Sequence, residues 1–493
     1  MHITVIGTGY VGLVSAVCLA ELGHQVIAVD SDAKKVEVLI RGECPIYEDL
    51  LPELLQRHNG KRLRFSAFAR SAVTASDVVF LAVGTPQSES GEADLSQIQD
   101  VANEIGPVLH RSTLIVEKST VPVCTCDALR EMLLRNGAHE GWFSVASNPE
   151  FLREGTAVTD FLYPERIVAG ADDDFGRFLL REVYRPLTSG SYYRTEDAVP
   201  CPTRKPGKAP LLVTGTRSAE LIKHASNGFL AAKVSYINAV AQLAEAVDAN
   251  IDEVSAGMGS DPRIGTDFLQ AGLGYGGSCL PKDVAAFEAV AKRHGIDFSL
   301  LREVKHLNEG QRSRFIDKVK RSVGMLAGKR MGVLGLSFKE GTDDVRESPA
   351  IATVRELARQ GVTVCAHDPA AMEKAREALA DYPIAYAHDP YDAAVGCDAL
   401  LILTGWKQFA KLDLHRLHSV MKSPVIFDGR NLYLPEEMAA AGFVYHSVGR
   451  RCLPVNCLPS VSKPESLRSV KSGLAGTPIS TQIVQVKPRP VRS

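Results

Sequence analysis

A strand pattern, Ile3-Thr4-Val5-Ile6, breaks at Gly7 and passes through Gly7-Thr8-Gly9-Tyr10-Val11-Gly12 into a helical pattern running from about Tyr10 to Leu22 and stopping at Gly23. A chain that turns from strand to helix through G-x-G-x-x-G has few folds open to it. The glycines permit a tight turn, and the helix that follows carries the chain back to a parallel neighbouring strand. That second strand, Gln25 to Val29, ends in Asp30. In such a unit the helix N-terminus attracts a diphosphate, and the acid accepts hydrogen bonds from a ribose. The spacing predicts a dinucleotide site made by Gly7, Gly9, Tyr10, Val11, Gly12 and Asp30. The charge of Asp30 would repel a 2′-phosphate, so NAD is expected rather than NADP. Lys34 and Lys35 oppose that preference if they face the ligand, and are solvated helix residues otherwise.

The same alternation continues. Asp77 to Val83, Thr113 to Val116 and Phe143 to Ala146 read as further buried strands, each followed by turn chemistry. Ser218 to Ala249 is rich in Ala, Leu, Ile and Glu without proline, which predicts one long helix joining two domains. A second α/β unit opens near Gly328, with strands at Met331 to Leu334, Val362 to Cys365, Ala399 to Leu403 and Val425 to Phe427, and a helix over Pro349 to Arg359. The fold class expected is α/β: two Rossmann-like parallel-sheet domains joined by a long central helix and a helical core. The boundaries expected are 1–193 for the dinucleotide domain, 194–217 for a proline-rich basic loop, 218–327 for the helical centre, 328–458 for the second α/β domain and 459–493 for a disordered basic tail.

At 493 residues the chain exceeds one ordinary core. A net charge of −2 supplies no global attraction to nucleic acid or an anionic membrane, and no apolar run approaches the roughly 20 residues that span a bilayer. Cys124 and Cys126 are the only close cysteine pair, and no second ligand pair follows, so no metal is expected. The N-terminus enters its first strand at once, leaving no room for a signal peptide. A cytoplasmic protein with reduced thiols is expected.

A second constellation lies in FLQAGLGYGGSCLPKD, Phe268 to Asp283. Gly272, Gly274, Gly276 and Gly277 let backbone approach a ligand, and Cys279 sits between them and the pair Lys282-Asp283. A thiol beside cations titrates below about 8.5 and is a nucleophile. The alternative is a small buried hydrophobe beside a turn. A nucleophilic cysteine together with a hydride acceptor suggests oxidation through a thioester.

These motifs, with NPEFLREG (Asn148 to Gly155), SAELIKHASN (Ser218 to Asn227), GLSFKEGTDDVRESPA (Gly335 to Ala350) and FDGRN (Phe427 to Asn431), resemble those of the nucleotide-sugar dehydrogenase family, over Met1 to about Arg450. The resemblance implies two successive oxidations of a sugar C6 alcohol with NAD, and a homodimer formed through the helical core. It implies catalytic roles for Cys279 as nucleophile, Lys223 and Asn227 at the oxyanion, Glu150 as acid/base, and Asp283 and Thr120 in placing water. It implies cofactor contacts from Lys35, Thr85, Pro86, Thr120, Glu154, Lys282 and Arg346. Substrate contacts are implied for Glu150, Phe151, Leu152, Arg153, Glu154, Lys223, Asn227, Phe268, Leu269, Gln270, Ala271, Gly272, Tyr275, Gly276, Lys339 and Arg430, with Arg263 reaching into the neighbouring subunit. The long link before Ser218 departs from the family pattern.

Within that family Ser278, where the N-acetylated-sugar branch has His, points away from that branch. Tyr275 and FLQAG lean toward UDP-glucose, with GDP-mannose as the near alternative. A more distant alternative is a single-step hydroxy-acid dehydrogenase in which Cys279 is structural.

Overall fold

The computed structural model describes residues 1–87, 93–200 and 207–453. Two sheets dominate it. The first contains β1 (His2–Ile6), β2 (Gln25–Val29), β3 (Leu63–Ser66), β4 (Val78–Leu81), β5 (Thr113–Glu117), β6 (Phe143–Ser147), β7 (Ile167–Ala171) and β8 (Leu211–Thr214), in the order β3-β2-β1-β4-β5-β6-β7-β8. The second contains β9 (Arg330–Leu334), β10 (Thr363–His367), β11 (Ile384–Tyr386), β12 (Ala399–Ile402), β13 (Val425–Asp428) and β14 (Val444–His446), in the order β11-β10-β9-β12-β13-β14. Strands β4 to β7 are buried from end to end, because helices cover both faces and no side chain of these runs meets water.

The expected α/β architecture is present, with two differences. β6 and β7 pair antiparallel, so the first sheet is parallel only up to β6 and again at β7-β8. The segment expected as an exposed loop over 194–217 instead delivers β8 to the sheet edge, where Leu211 to Thr214 pair with Ile167 to Gly170. Its prolines obscured a four-residue strand. Residues 201–206 of that segment, and the tail expected over 459–493, lie outside the described residues.

The long helix Thr216–Ala246 runs from the first sheet to the second unit. Asp172, just past β7, starts it by accepting from Thr216 Oγ1 at 2.6 Å. Small buried residues (Gly228, Ala231, Ser235) let the helices Leu280–Arg293 and Ser299–Val323 pack closely on it. Together these three helices form the expected helical centre. Its own core, Ala231, Tyr275, Val284, Leu301 and Val304, is small, and larger cores lie on both faces of each sheet. Among the described residues no helix is long and apolar enough to cross a membrane.

Candidate active site

The reversal of strand order between β1 and β4 opens a crevice at the carboxyl ends of the strands, where ligands bind in folds of this kind. The glycine turn sits there. A Cβ at Gly7 (φ +94°) would lie 2.4 Å from Ala82 O, and one at Gly12 would lie 1.9 Å from Gly7 O, whereas Gly9 has open space. Two glycines thus close the turn and the middle one leaves its surface free, as a diphosphate cradle requires. Asp30 accepts from Thr8 N (2.9 Å), Thr8 Oγ1 (2.6 Å) and Lys35 Nζ (2.8 Å). Burial works against its charge, but the hydrogen bonds from Lys35 and Thr8 hold it down to about 2. Lys35 therefore faces the acid and partly neutralises it. Tyr10 turns away from the cradle to bond Glu48, and its hydroxyl also accepts from Gly155 N at 3.0 Å. This links the glycine turn to the Asn148–Gly155 loop. Val11 is the half-buried first-turn residue behind it. These residues fit a dinucleotide, and NAD bound there would act as hydride acceptor.

A cleft of about 570 Å³ opens beside this crevice. Its walls come from the 148–154 loop, from Lys223 and Asn227 on the long helix, from the 276–279 turn and from Lys339. Lys223 Nζ donates to Glu150 O at 2.7 Å and to Glu150 Oε1 at 3.0 Å, with both residues buried. Burial alone would neutralise each, but their mutual attraction wins: the Glu150 carboxyl is held below its usual range and the Lys223 ammonium above its own. Asn227, one turn along the helix, donates from Nδ2 to Asp283 Oδ2 at 2.5 Å. Thr120, half-buried after β5, accepts from Thr85 Oγ1 through its carbonyl.

Cys279 opens onto this cleft at the start of the helix Leu280–Arg293. The expectation of an acidic thiol is corrected here. Although the residue is exposed to the cleft, desolvation by the cleft walls pushes the thiol up to about 11, Glu150 adds to the rise, and Lys223 only partly offsets it. Lys282, expected beside the sulfur, points elsewhere. Its Nζ donates to Thr85 Oγ1 (3.1 Å) and Thr85 O (3.3 Å) and lies 3.7 Å from Asp283.

Glu154 joins three parts of the chain. It accepts from Thr342 Oγ1 (3.0 Å) and Ser278 Oγ (3.4 Å), and Arg346 lies 3.7 Å away. Burial and Asp344 raise it to about 7, against Thr342, Arg346 and Lys339. Arg346, expected on the cofactor, is engaged by Asp344 at 2.7 Å. Phe151 carries Arg166 at 4.0 Å on its ring, and Arg153 is paired with Asp160 at the cleft wall. Leu152 N donates to Glu150 Oε2 at 2.6 Å. Phe268 (φ +64°) lines the cleft, but Leu269 and Ala271 are buried in the core, so this stretch offers mainly backbone. Gln270 is exposed, and Gly272 N is taken by Asn238 Oδ1. Tyr275 is buried, with Gly276 beyond it at the cleft. Arg430 is half-buried, bonded to Leu403 O and Phe338 O. Arg263 is exposed and paired with Asp261, and it does not line this cleft. Pro86 flanks the crevice after Thr85 and is exposed.

Sequence reasoning missed Lys118, a buried lysine lining the cleft that donates to Asn148 Oδ1 (3.0 Å) and O (3.2 Å). Burial lowers it to about 8, against the pull of Glu150. A lysine at the buried carboxyl end of a strand was its only signal. His224, next to Lys223, was passed over as well. It is buried, and its Nε2 is 2.8 Å from Val121 O.

The NAD-binding domain profile of the UDP-glucose/GDP-mannose dehydrogenase family matches residues 1–188, its central domain profile residues 217–310, and its UDP-binding domain profile residues 332–435. A UDP-glucose 6-dehydrogenase of Bacillus subtilis is 42% identical over 454 residues, covering 92% of this chain and 98% of the relative. One of Rhizobium meliloti is 44% identical over 455 residues, covering 91% and 100%. A solved UDP-glucose dehydrogenase of the hyperthermophilic archaeon Pyrobaculum islandicum has a TM-score of 0.81 at 38% identity, covering 91% of this chain and 98% of that one. The chain belongs to the UDP-glucose/GDP-mannose dehydrogenase family and is an NAD-dependent dehydrogenase built from that family's NAD-binding, central and UDP-binding domains.

Proposed function

We propose that the protein oxidises C6 of UDP-glucose twice, to UDP-glucuronate, through a thiohemiacetal and then a thioester on Cys279. The observation that carries this reading is the convergence of Cys279, Lys223, Asn227 and Glu150 on one cleft. Glu150 occupies two bonds of the Lys223 ammonium, which leaves its third N–H for the substrate oxygen. That charge favours the alkoxide of the first oxidation and the tetrahedral oxygen of the second. The Cys279 thiol adds across the aldehyde, with sulfur bonding to carbon and the proton passing to oxygen, so no free aldehyde leaves. Loss of a second hydride gives the thioester, and water placed by Asp283 and Thr120 releases the acid, with Glu150 managing protons. Lys339 supplies a cation for the substrate and Arg430 a contact at the sugar end, and the close relatives' substrate supports UDP-glucose over GDP-mannose.

The reading includes a homodimer in the cytoplasm. Phe229, Tyr236, Leu243 and Val247 on the long helix are each more than half exposed, and their spacing puts them on one face. Tyr236→Glu should shift the sedimenting species to monomer; an unchanged species would place the interface elsewhere.

The function is tested by incubating a panel of nucleotide sugars with NAD and counting NADH per sugar consumed. UDP-glucose should give two NADH and no free aldehyde. One NADH with accumulating aldehyde, or a preference for GDP-mannose, would overturn it.

A further inference from the structure

Among the described residues, His224 Nδ1 and Asp283 Oδ1 are buried polar atoms of the catalytic centre without a hydrogen-bond partner. They belong to neighbouring groups. His224 lies between Lys223 and Asn227 in sequence, three residues before the Asn227 that holds the other oxygen of Asp283. Positions three apart on a helix share a face, so His224 and Asn227 both meet the helix that carries Asp283. The ring of His224 packs over Phe287 of that same helix, centroids 6.1 Å apart.

The chemistry of the two atoms is set by their surroundings. Val121 O only accepts, so His224 Nε2 is the protonated nitrogen at that 2.8 Å contact. Burial pushes the imidazole toward its neutral form and Lys282 and Lys223 push the same way, while Asp283 and the Val121 carbonyl oppose them. In the neutral ring Nδ1 is an acceptor. Asp283 Oδ1 is also an acceptor, and the cation nearest to it, Lys282 Nζ, stands at 3.7 Å with its donors turned to Thr85. Two buried acceptors of one neighbourhood, both without donors, cost about 1–3 kcal/mol each. A molecule that offers two hydrogens and demands little space removes both costs.

We propose that His224 Nδ1 and Asp283 Oδ1 share one buried water, and that His224 is a further positioning residue for thioester hydrolysis. Asp283 N donates to Cys279 O at 2.9 Å in the first turn of their helix, so the two side chains lie one turn apart on the same face. With both hydrogens pinned, one lone pair of the water is left for the Thr120 hydroxyl and the other for the acyl carbon. In the hydrolysis the water oxygen bonds to that carbon and the C–S bond breaks. The sulfur leaves with the electron pair and takes one hydrogen, and the other is released as the proton of the new acid. This proposal rests on the thioester reading above and adds to it a residue on the long helix.

His224→Phe retains a ring over Phe287 and removes both nitrogens. The measurement is rapid-quench turnover with UDP-glucose and NAD, combined with intact-mass analysis. His224→Phe should release two NADH per site at the wild-type rate and then slow, with kcat down on the order of 10²-fold, kcat/KM unchanged and acyl-enzyme mass accumulating. His224→Gln, which donates to Val121 O and still accepts a hydrogen, should recover most of kcat. A parallel fall of kcat and kcat/KM, or turnover without a burst, would overturn the role of His224 while two NADH per sugar in the unmodified enzyme left the thioester intact. One NADH per sugar in the unmodified enzyme would overturn the thioester reading itself.

Discussion

Lys223 and Glu150 form a fully buried ion pair, Nζ to Oε1 at 3.0 Å, in which the same ammonium also holds the Glu150 carbonyl at 2.7 Å. The pair fixes the 148–155 loop onto the long helix and leaves a charged donor at the cleft. Lys223→Met strands a buried carboxylate, which typically costs about 3–5 kcal/mol. Denaturant melts should show a loss of that order, with turnover down by on the order of 10²-fold or more. Adding Glu150→Gln to Lys223→Met should restore stability without restoring turnover. Stability unchanged by Lys223→Met would mean the pair contributes nothing.

The raised Cys279 thiol makes a pH prediction with a definite sign. Because its value sits near 11, the thiolate fraction climbs about tenfold per pH unit across the neutral and mildly alkaline range. Iodoacetamide labelling of Cys279 in the resting enzyme, followed by peptide mass, should be slow at pH 7.5 and rise steadily to pH 10. Glu150→Gln removes a neighbouring negative charge and should speed labelling at any one pH. A rate that levels off below pH 8 would show an acidic thiol instead.

Asp30 faces Lys35 at 2.8 Å, so its repulsion of a 2′-phosphate is weakened but not cancelled. Asp30→Ala should narrow the ratio of kcat/KM for NAD over NADP by about tenfold or more, with most of the change on NADP. Equal use of both cofactors by the unmodified enzyme would show that Lys35 dominates.

Most of the fold was legible because its signals are local. The helix Pro349–Arg359 and the strand Gln25–Val29 have the bounds their apolar patterns and stop residues suggest. Strand β8 was hidden by the prolines around it, and the antiparallel β6-β7 pair depends on a distant partner that no local pattern encodes. The candidate site follows the same division. Lys223 and Asn227 were legible only through the resemblance of SAELIKHASN to the family motif. The raised thiol was not, since it depends first on desolvation by the cleft walls and then on Glu150 approaching from 129 positions away in sequence. Lys118 and His224 matter through burial, and burial of a polar side chain leaves little mark on its immediate neighbours in the chain.

The nucleophilic role of Cys279 is tested most directly by UDP-glucuronate formation in Cys279→Ala. That change deletes one sulfur and should cost on the order of 1 kcal/mol of stability, with NAD affinity retained. Acid formation should fall by several orders of magnitude, because no covalent route from aldehyde to acid remains. Near-normal acid formation by a folded, NAD-binding Cys279→Ala enzyme would contradict the mechanism.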